Sequence, residues 1–436
     1  MDRHPLDRLV RGLTLTDATM LVVSSVIGVG IFLTPGRIAE LLPSPRLILL
    51  AWLAGGLLSL AGALANAELG AMFPHAGGDY VYLREAYHPA AGFLVGWLSF
   101  LVIYTGTVAT LATGFAAGLG PFVRLGPAGE LAVAIAVIVA TTAVNYVSVP
   151  AGARFNTVTG YLKVATLVAL GAGGLLLASG RPASAAVGAA SPAAFGLALS
   201  PILFSYLGWN ASVYVASEIR DPDRNVPRSL FVGLGVCTLV YLLTNASYLA
   251  ALPVDVMRGE PRVGEAAARV FFGPAGGTVT AALVLASVLG CLNATILVGP
   301  RIAYAMALDG RFFRRVARVH ARFRTPHVAL VVQAACAIAL VLVLRRFPSV
   351  LDYTTFAIVL ATIADTTCLY RLRRTRPDAR RPYRAWGYPV VPALYLVASA
   401  AIAAAMLWGR PRECAIALAV TATGVPAYAW FARRDS

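Results

Sequence analysis

Hydrophobic residues fill long stretches of this chain, and polar residues are confined mainly to the short segments between them. A membrane-spanning helix needs about 20 mostly apolar residues. Twelve stretches meet or approach this length, at roughly residues 16–41, 46–72, 90–119, 129–148, 153–179, 195–218, 227–251, 278–306, 327–344, 350–370, 388–408 and 412–431. The pattern predicts an all-α membrane protein with 12 transmembrane helices and no soluble domain.

Two of the predicted helices are interrupted by weak helix formers. The first contains Gly28-Val29-Gly30, within SSVIGVGIFLTPG, and the sixth contains Gly208, within FSYLGWN. Non-helical backbone is tolerated at membrane depth only where it is buried in protein or lines a watery cavity. Interruptions at matching positions of two halves indicate the central site of an inverted-repeat transporter. The alternative interpretation is that these glycines serve only close packing or a kink.

The spacing of the interruptions divides the chain into two units. An odd number of spans separates them, so the first and sixth helices would cross the membrane in opposite directions. We therefore predict a five-plus-five inverted repeat, with helices 1 and 6 unwound at mid-membrane. The repeats cover about 16–179 and 195–370, and two C-terminal helices cover about 388–431, all within one transmembrane domain over 1–436.

Each interruption exposes backbone groups of one polarity. The first frees amide N–H groups at the positive end of the half-helix over 31–41, which favours a carboxylate. The second leaves the carbonyls of Phe204 and Ser205 at the negative end of a half-helix, which favours an ammonium group. The combination predicts a binding site for a free α-amino acid.

Charge sets the expected orientation. The chain has a net charge of +16, and with a cytoplasmic N-terminus 23 arginines lie inside and 10 outside. This bias follows the positive-inside rule and predicts that both termini are cytoplasmic, in the plasma (inner) membrane. The segment RLRRTRPDARRPYR (371–384) is expected to anchor this orientation against lipid rather than to bind nucleic acid.

Lys163 is the only lysine among 36 basic residues, and the predicted fifth helix places it near mid-membrane. Arginine stays charged, whereas a buried lysine can give up its proton. We therefore interpret Lys163 as a coupling residue, with Thr295 of the eighth helix as a candidate hydroxyl partner. The alternative is that Lys163 only hydrogen-bonds the interrupted backbone of helix 1.

Other polar residues have simpler expected roles. Glu68, Glu218 and Asp365 lie near predicted cytoplasmic helix ends and are expected to pair with arginines. Because no acidic residue or arginine is expected beside the interruptions, the substrate side chain should be neutral and small to medium in size. Four threonines are candidates to line the site: Thr105, Thr107, Thr354 and Thr355. The five cysteines are expected to be buried as small apolar residues.

Four stretches resemble the amino acid–polyamine–organocation superfamily and, within it, the L-type amino acid transporters. They are IGVGIF (27–32), AELGAMFPHAGGDYVYLREAY (67–87), FSYLGWN with EIRDP (218–222), and GPRIAYAMALDGRF (299–312). The resemblance implies the five-plus-five fold and sodium-independent alternating access, by exchange or with a proton. It also implies that the helix-5 lysine takes the place of a sodium ion.

The resemblance also assigns roles around the interruptions. The amides that would face the carboxylate belong to Ile27, Gly28, Val29, Gly30 and Ile31. The carbonyls that would face the amino group belong to Phe204, Ser205 and Tyr206. The inner side of the site would be shaped by Trp209 and Asn210. Val29 replaces a common serine, and Leu207 replaces the glycine usual in L-type members. Both differences disfavour a bulky substrate.

The sequence argues against other function classes. It contains no nucleophile–base pair, no metal-ligand spacing and no Gly-rich phosphate loop, so we predict neither an enzyme nor a cofactor or metal. A non-transporting amino acid sensor or a channel on the same fold, and a transporter of polyamines or cationic amino acids, remain alternatives. The expected partners are the lipid bilayer and the amino acid, and no partner subunit can be identified.

Overall fold

The computed structural model describes residues 9–120, 122–178, 191–344, 347–409 and 411–433. These residues are helical, with short connections and no strand. The α-helices are α1 (Leu15–Val26), α2 (Gly30–Leu33), α3 (Pro35–Leu41), α4 (Pro45–Met72), α5 (Asp79–Ala86), α6 (Pro89–Leu98), α7 (Thr105–Gly118), α8 (Pro127–Val147), α9 (Val149–Leu177), α10 (Pro192–Tyr206), α11 (Ala211–Tyr214), α12 (Pro222–Ala251), α13 (Val254–Met257), α14 (Val263–Val298), α15 (Pro300–Leu308), α16 (His327–Leu344), α17 (Phe347–Thr375), α18 (Val390–Gly409) and α19 (Pro411–Ala432). Ser99–Tyr104 is π-helical, and Ala216–Glu218 and Arg314–Ala317 are 3₁₀-helical.

The helices have the lengths and composition of a membrane protein. Within the described ranges, 10 helical stretches are long and apolar enough to cross a membrane, and two shorter apolar helices lie at Pro192–Tyr206 and His327–Leu342. This confirms an all-α membrane protein. Most helix bounds lie within a few residues of those predicted. The main exception is α14, which begins at Val263 rather than near residue 278 and is kinked at Gly273, where φ is 70°.

Helical structure stops at both predicted interruptions. α1 ends at Val26 and helix resumes at Gly30, while α10 ends at Tyr206 and α11 begins at Ala211. At Gly208 φ is +93°, and a Cβ there would lie 3.0 Å from the carbonyl oxygen of Ser25. Only glycine satisfies both the left-handed backbone and this close approach. The two interruptions are therefore in direct contact.

α12 holds the ends of α1 and α10 together. It packs against α1, α4 and α9. The hydroxyl oxygen of Tyr241 lies 2.9 Å from the carbonyl oxygens of both Val26 and Ser205. Its ring packs edge-on against Trp52 and Tyr206, with centroid distances of 5.3 and 5.1 Å. This aromatic cluster fixes the spacing between the two interrupted helices.

Two buried glutamates form the arginine pairs expected of them. Glu218 binds Arg301 at 2.7 Å, with both side chains 1% exposed. Glu68 binds Arg373 at 2.6 Å and Arg381 at 3.1 Å. The 371–384 segment is therefore not simply a lipid-facing anchor, because two of its arginines are bound to a buried acid of α4.

The expectation for Asp365 is wrong. This residue is fully buried in α17, yet it forms no ion pair with any arginine among the described residues. The ionisable group beside it is instead another carboxyl, that of Asp79. Arginines close to an acidic residue in the sequence therefore need not pair with it in the structure.

Candidate functional site

A cavity of about 130 Å³ lies between the two interruptions. A site for one water needs only about 10–15 Å³ on this measure, so the cavity has room for a small solute. Its wall combines the non-helical turns with the π-helical segment, α7, α14 and α17. π-Helical turns are frequent at functional sites. Here the segment brings Ile103 and Tyr104 into the wall.

The predicted site residues divide between the wall and the layer behind it. Those in the wall are Gly28, Val29, Gly30, Phe204, Ser205, Leu207, Asn210 and Thr295. Those outside the lining set are Ile27, Ile31, Tyr206, Trp209 and Lys163. Of the four candidate threonines, Thr107, Thr354 and Thr355 line the cavity, whereas Thr105 donates its hydroxyl to the carbonyl of Phe100 at 2.6 Å.

Four consecutive amides are unused at the first interruption. Within the described part of the chain, no backbone or side-chain acceptor takes the N–H groups of residues 28–31. Hydrogen bonding resumes at Phe32, whose N–H donates to the carbonyl of Val29 at 3.1 Å. Since unpaired buried amides are costly, this cluster has the chemistry of an anion or carboxylate site.

The carbonyls at the second interruption are partly engaged. The carbonyl oxygen of Phe204 accepts the Leu207 N–H at 3.1 Å, and that of Ser205 lies 2.9 Å from the Tyr241 hydroxyl. Each carbonyl oxygen has a second lone pair. Ser25 and Val26, at the carboxyl end of α1, also line the cavity and add further carbonyls. Sequence reasoning missed these two residues, because it assigned α1 only a donor role.

Lys163 lies behind the first interruption. Its Nζ donates to the carbonyl oxygens of Ser24 and Ile27, both at 2.8 Å, and lies 3.3 Å from the sulfur of Cys291. An ammonium group has three N–H donors, and three acceptors surround this one. Lys163 therefore braces the carboxyl end of α1 from outside the cavity.

Thr295 is not a partner of Lys163. Its hydroxyl donates to the Cys291 carbonyl within its own helix at 2.8 Å. The third acceptor of the lysine is the Cys291 thiol, which also donates to the Ser24 carbonyl at 2.9 Å. The helix turn places residue 291, one turn before Thr295, against α1. Cys291 was predicted to be only a small apolar residue.

Comparison with known proteins identifies the chain's relatives. The sequence model of a family described as amino acid permease matches residues 13–429. The chain belongs to the amino acid permease family. The superfamily expected from the four sequence stretches is thereby confirmed.

The named relatives of this permease are transporters, and the chain covers most of their length. The serine/threonine exchanger SteT of Bacillus subtilis (strain 168) is 28% identical over 424 residues, which cover 96% of each chain. The human large neutral amino acids transporter small subunit 2 is 29% identical over 434 residues, covering 96% of this chain and 80% of the relative. The human Asc-type amino acid transporter 1 is 28% identical over 432 residues, covering 96% of this chain and 82% of the relative.

The wall of this permease contains an acidic residue, contrary to the sequence-based expectation. Asp79 lines the cavity, where its Oδ2 accepts the Tyr214 hydroxyl at 2.5 Å and the Ser99 hydroxyl at 3.3 Å. It follows Gly77 and Gly78, which have φ of +111° and +49° and turn the chain into the core. Asp79 lies in the AGGDY stretch between two predicted spans, so the sequence placed it in a loop.

Proposed function

We propose that this permease is a sodium-independent secondary transporter of small to medium neutral L-amino acids, such as alanine, serine, threonine or valine. It works by alternating access in the plasma (inner) membrane, as an exchanger or with a proton. It has twelve spanning helices arranged as a five-plus-five inverted repeat with two C-terminal helices, interruptions near mid-membrane, and both termini cytoplasmic.

The observation that carries the proposal is the row of unused amides at residues 28–31, opposite the carbonyls of a second interrupted helix. Amides suit the carboxylate of an amino acid, and the carbonyls of Val26 and Ser205 suit its ammonium group. The names of the relatives, a serine/threonine exchanger and neutral amino acid transporters, support the same substrate class.

We keep neutral amino acids as the proposed substrates although the acidic residue Asp79 lines the cavity. Its Oδ2 is already engaged by two hydroxyl groups, and the carboxyl also contacts Asp365, so it is not a free counter-ion for a substrate. The wall around it contains apolar side chains from Val29, Phe204 and Leu207. A cationic amino acid or polyamine is the second candidate, favoured only by the presence of Asp79 in the wall.

Two measurements test the substrate class. A panel of amino acids is screened for thermal stabilisation of the purified protein, because a ligand that binds only the folded state raises its stability. Counterflow of labelled alanine or serine into proteoliposomes then separates a transporter from a sensor. Neutral amino acids should give the largest thermal stabilisation and should show counterflow. Stronger competition by arginine, glutamate or a polyamine would reject the proposed class, and stabilisation without counterflow would indicate a sensor.

A glycine pair provides the matched variants. A Cβ on Gly30 would lie 2.7 Å from the Cα of Ser205, whereas a Cβ on Gly196 of α10 would meet nothing within 4 Å. Gly30→Ala should therefore push the interruptions apart and abolish stabilisation by substrate, and Gly196→Ala should leave it intact. The added methyl at position 30 points at Ser205 of α10 and not into the cavity.

The coupling mode is tested at Lys163. Removing its three hydrogen bonds by Lys163→Ala should abolish transport while leaving the helix formed, since alanine is a good helix former. Uptake by the unmutated protein should not require sodium. Wild-type uptake by the variant, or strict sodium dependence of the unmutated protein, would reject the role of the lysine as the substitute for an ion.

A further inference from the structure

Two carboxyl side chains meet beside the cavity. Asp79 begins α5 and lines the cavity, while Asp365 belongs to α17. α5 packs directly against α17, and the two carboxyl groups are neighbours there; Asp79 Oδ1 and both Asp365 oxygens have no other partner among the described residues. Both are buried, with exposed fractions of 1% and 0%. A carboxylate has acceptors only, so two ionised carboxylates in this position repel and cannot hydrogen-bond.

Within the described part of the chain, no cation is paired with these two carboxyl groups. The other two buried acids of the core, Glu68 and Glu218, are held by arginines at 2.6 and 2.7 Å. Among the described residues, neither Asp79 nor Asp365 forms such an ion pair. Burying an uncompensated charge costs several kcal/mol, so a buried acid without a partner takes up a proton instead.

Hydrogen bonds are missing around Asp365. Within the described ranges neither carboxyl oxygen of Asp365 has a hydrogen bond of ordinary geometry, and the Asn66 amide is the donor group beside it. The amide of Asn66 and the hydroxyl of Tyr82 lie in the same cluster, and both side chains are buried without a partner. Buried polar atoms are normally satisfied. One proton between the two carboxyls supplies the missing bond and needs no additional atom.

We infer that Asp79 and Asp365 form a proton-binding site in which one proton is shared between the two carboxyl groups. Loss of the proton leaves two carboxylates. Asp79 is linked to the second interruption, because the Tyr214 hydroxyl donates to it at 2.5 Å and accepts the Asn210 amide at 3.2 Å. Asn210 lines the cavity, so the charge of the pair acts on the cavity wall. Use of this proton in transport depends on the proposed function.

The surroundings leave the pair as the group that titrates. The other ionisable side chains around the pair come from α5 and α17 themselves and from neighbouring elements, and they are Tyr82, Tyr104, Tyr214, Cys368 and Tyr395. All are uncharged near neutral pH, since ordinary tyrosine and cysteine pKa values lie near about 10 and 8.5. Burial raises the pKa of Asp79, which belongs to the chain segment that connects the spanning helices α4 and α6. The folded protein thus holds a proton that the unfolded chain has released.

Substrate-free thermal unfolding tests the site. A carboxyl group whose pKa is higher in the folded protein than in the unfolded chain stabilises the fold. This stabilisation is fully present below the pKa of the unfolded chain, about 4, and is lost as pH rises through the pKa of the folded protein. From about pH 5 upward, the unfolding equilibrium constant should increase by up to tenfold per pH unit for one proton. Asp365→Asn should flatten this dependence, because its amide can donate to Asp79 without titrating. The control Asp378→Asn, at an exposed position, should keep the wild-type slope.

Infrared spectroscopy gives an independent measurement on the intact protein. The wild type should show the carbonyl stretch of a protonated carboxylic acid, and this band should disappear in both Asp365→Asn and Asp79→Asn. The unfolding curves are also measured in sodium and in choline. Parallel pH profiles for the wild type and Asp365→Asn, absence of the band, or stabilisation by sodium in place of protons would each overturn the inference.

The two proposals fail separately. The proton site is measured without substrate, so a protein that has the band and the slope but binds no neutral amino acid refutes only the proposed function. Conversely, counterflow of alanine by a protein with a flat pH profile refutes only the proton site.

Discussion

At the scale of single residues, the lysine site depends on a glycine that faces it. A Cβ on Gly290 would lie 2.8 Å from Cε of Lys163 and 3.1 Å from its Nζ. Gly290→Ala should displace the ammonium from the Ser24 and Ile27 carbonyls while keeping its charge. Overpacking costs about 1–3 kcal/mol, and moving a buried ammonium off its acceptors adds to this, so we expect a measurable loss of stability together with loss of most counterflow. Thermal unfolding and proteoliposome counterflow measure the two effects.

The matched control is Gly235→Ala in α12, where an added Cβ meets nothing within 4 Å. It should retain both stability and counterflow. Equal activity of Gly290→Ala and Gly235→Ala would show that the position of the ammonium is not important for transport.

Individual residues were predictable where their chemistry was unusual in the sequence. A single lysine in an arginine-rich chain indicated Lys163, and paired glycines indicated the interruptions. Asp79 and Cys291 carried no such signal. Their roles depend on which way a turn or a helix face points, and hydrophobic periodicity does not determine this when neighbouring helices are apolar on every side.

At the scale of elements, hydropathy predicted most helix bounds because lipid demands long apolar stretches. It could not predict the π-helical segment Ser99–Tyr104 or the kink at Gly273. One additional residue in a turn changes the helix register but not the composition. The segment Val263–Phe272 was likewise not predicted to be part of the spanning helix, since its charges lower the average hydropathy, although its amphipathic pattern after Pro261 predicts a short helix.

The connection between α11 and α12 depends on one buried ion pair. Glu218 is bound by Arg301, and its carbonyl oxygen accepts the N–H groups of Gly12 and Leu13 at 2.9 Å. Arg301→Ala should destabilise the protein by about 3–5 kcal/mol, because it leaves a buried carboxylate without a partner. Thermal unfolding of the purified variant measures this loss.

Two variants control for the ion pair. Adding Glu218→Gln to Arg301→Ala should recover part of the lost stability, since it removes the unpaired charge. Arg258→Ala disrupts an exposed pair with Asp255 at 3.9 Å and should change stability by less than about 1 kcal/mol. A similar loss in Arg258→Ala and Arg301→Ala would contradict the argument from burial.

At the scale of the whole molecule, the arginine distribution predicts the orientation. A cysteine at 260 or at the exposed position 258 should react with an impermeant maleimide on intact cells. A cysteine at exposed position 378 should react only after permeabilisation. Cys336→Ala provides the background, because the other four cysteines are buried. The opposite labelling pattern would reverse the orientation. Position 181, equally suitable by sequence, lies outside the described residues.

The cavity threonines have a further consequence. Of the six threonines that line the cavity, four donate their hydroxyls to the backbone carbonyl one turn earlier, namely Thr107, Thr110, Thr295 and Thr362. These hydroxyls are therefore not available as donors to a ligand. Under the proposed function, the carboxylate and ammonium groups that all amino acids share are then bound by main-chain groups, which a side-chain change at these threonines leaves in place. Replacing one of these four threonines should change the shape of the cavity and leave the main-chain groups that bind the substrate in place. If the proposed function holds, single substitutions at these threonines can alter which side chain the cavity accepts without removing the contacts that every substrate shares.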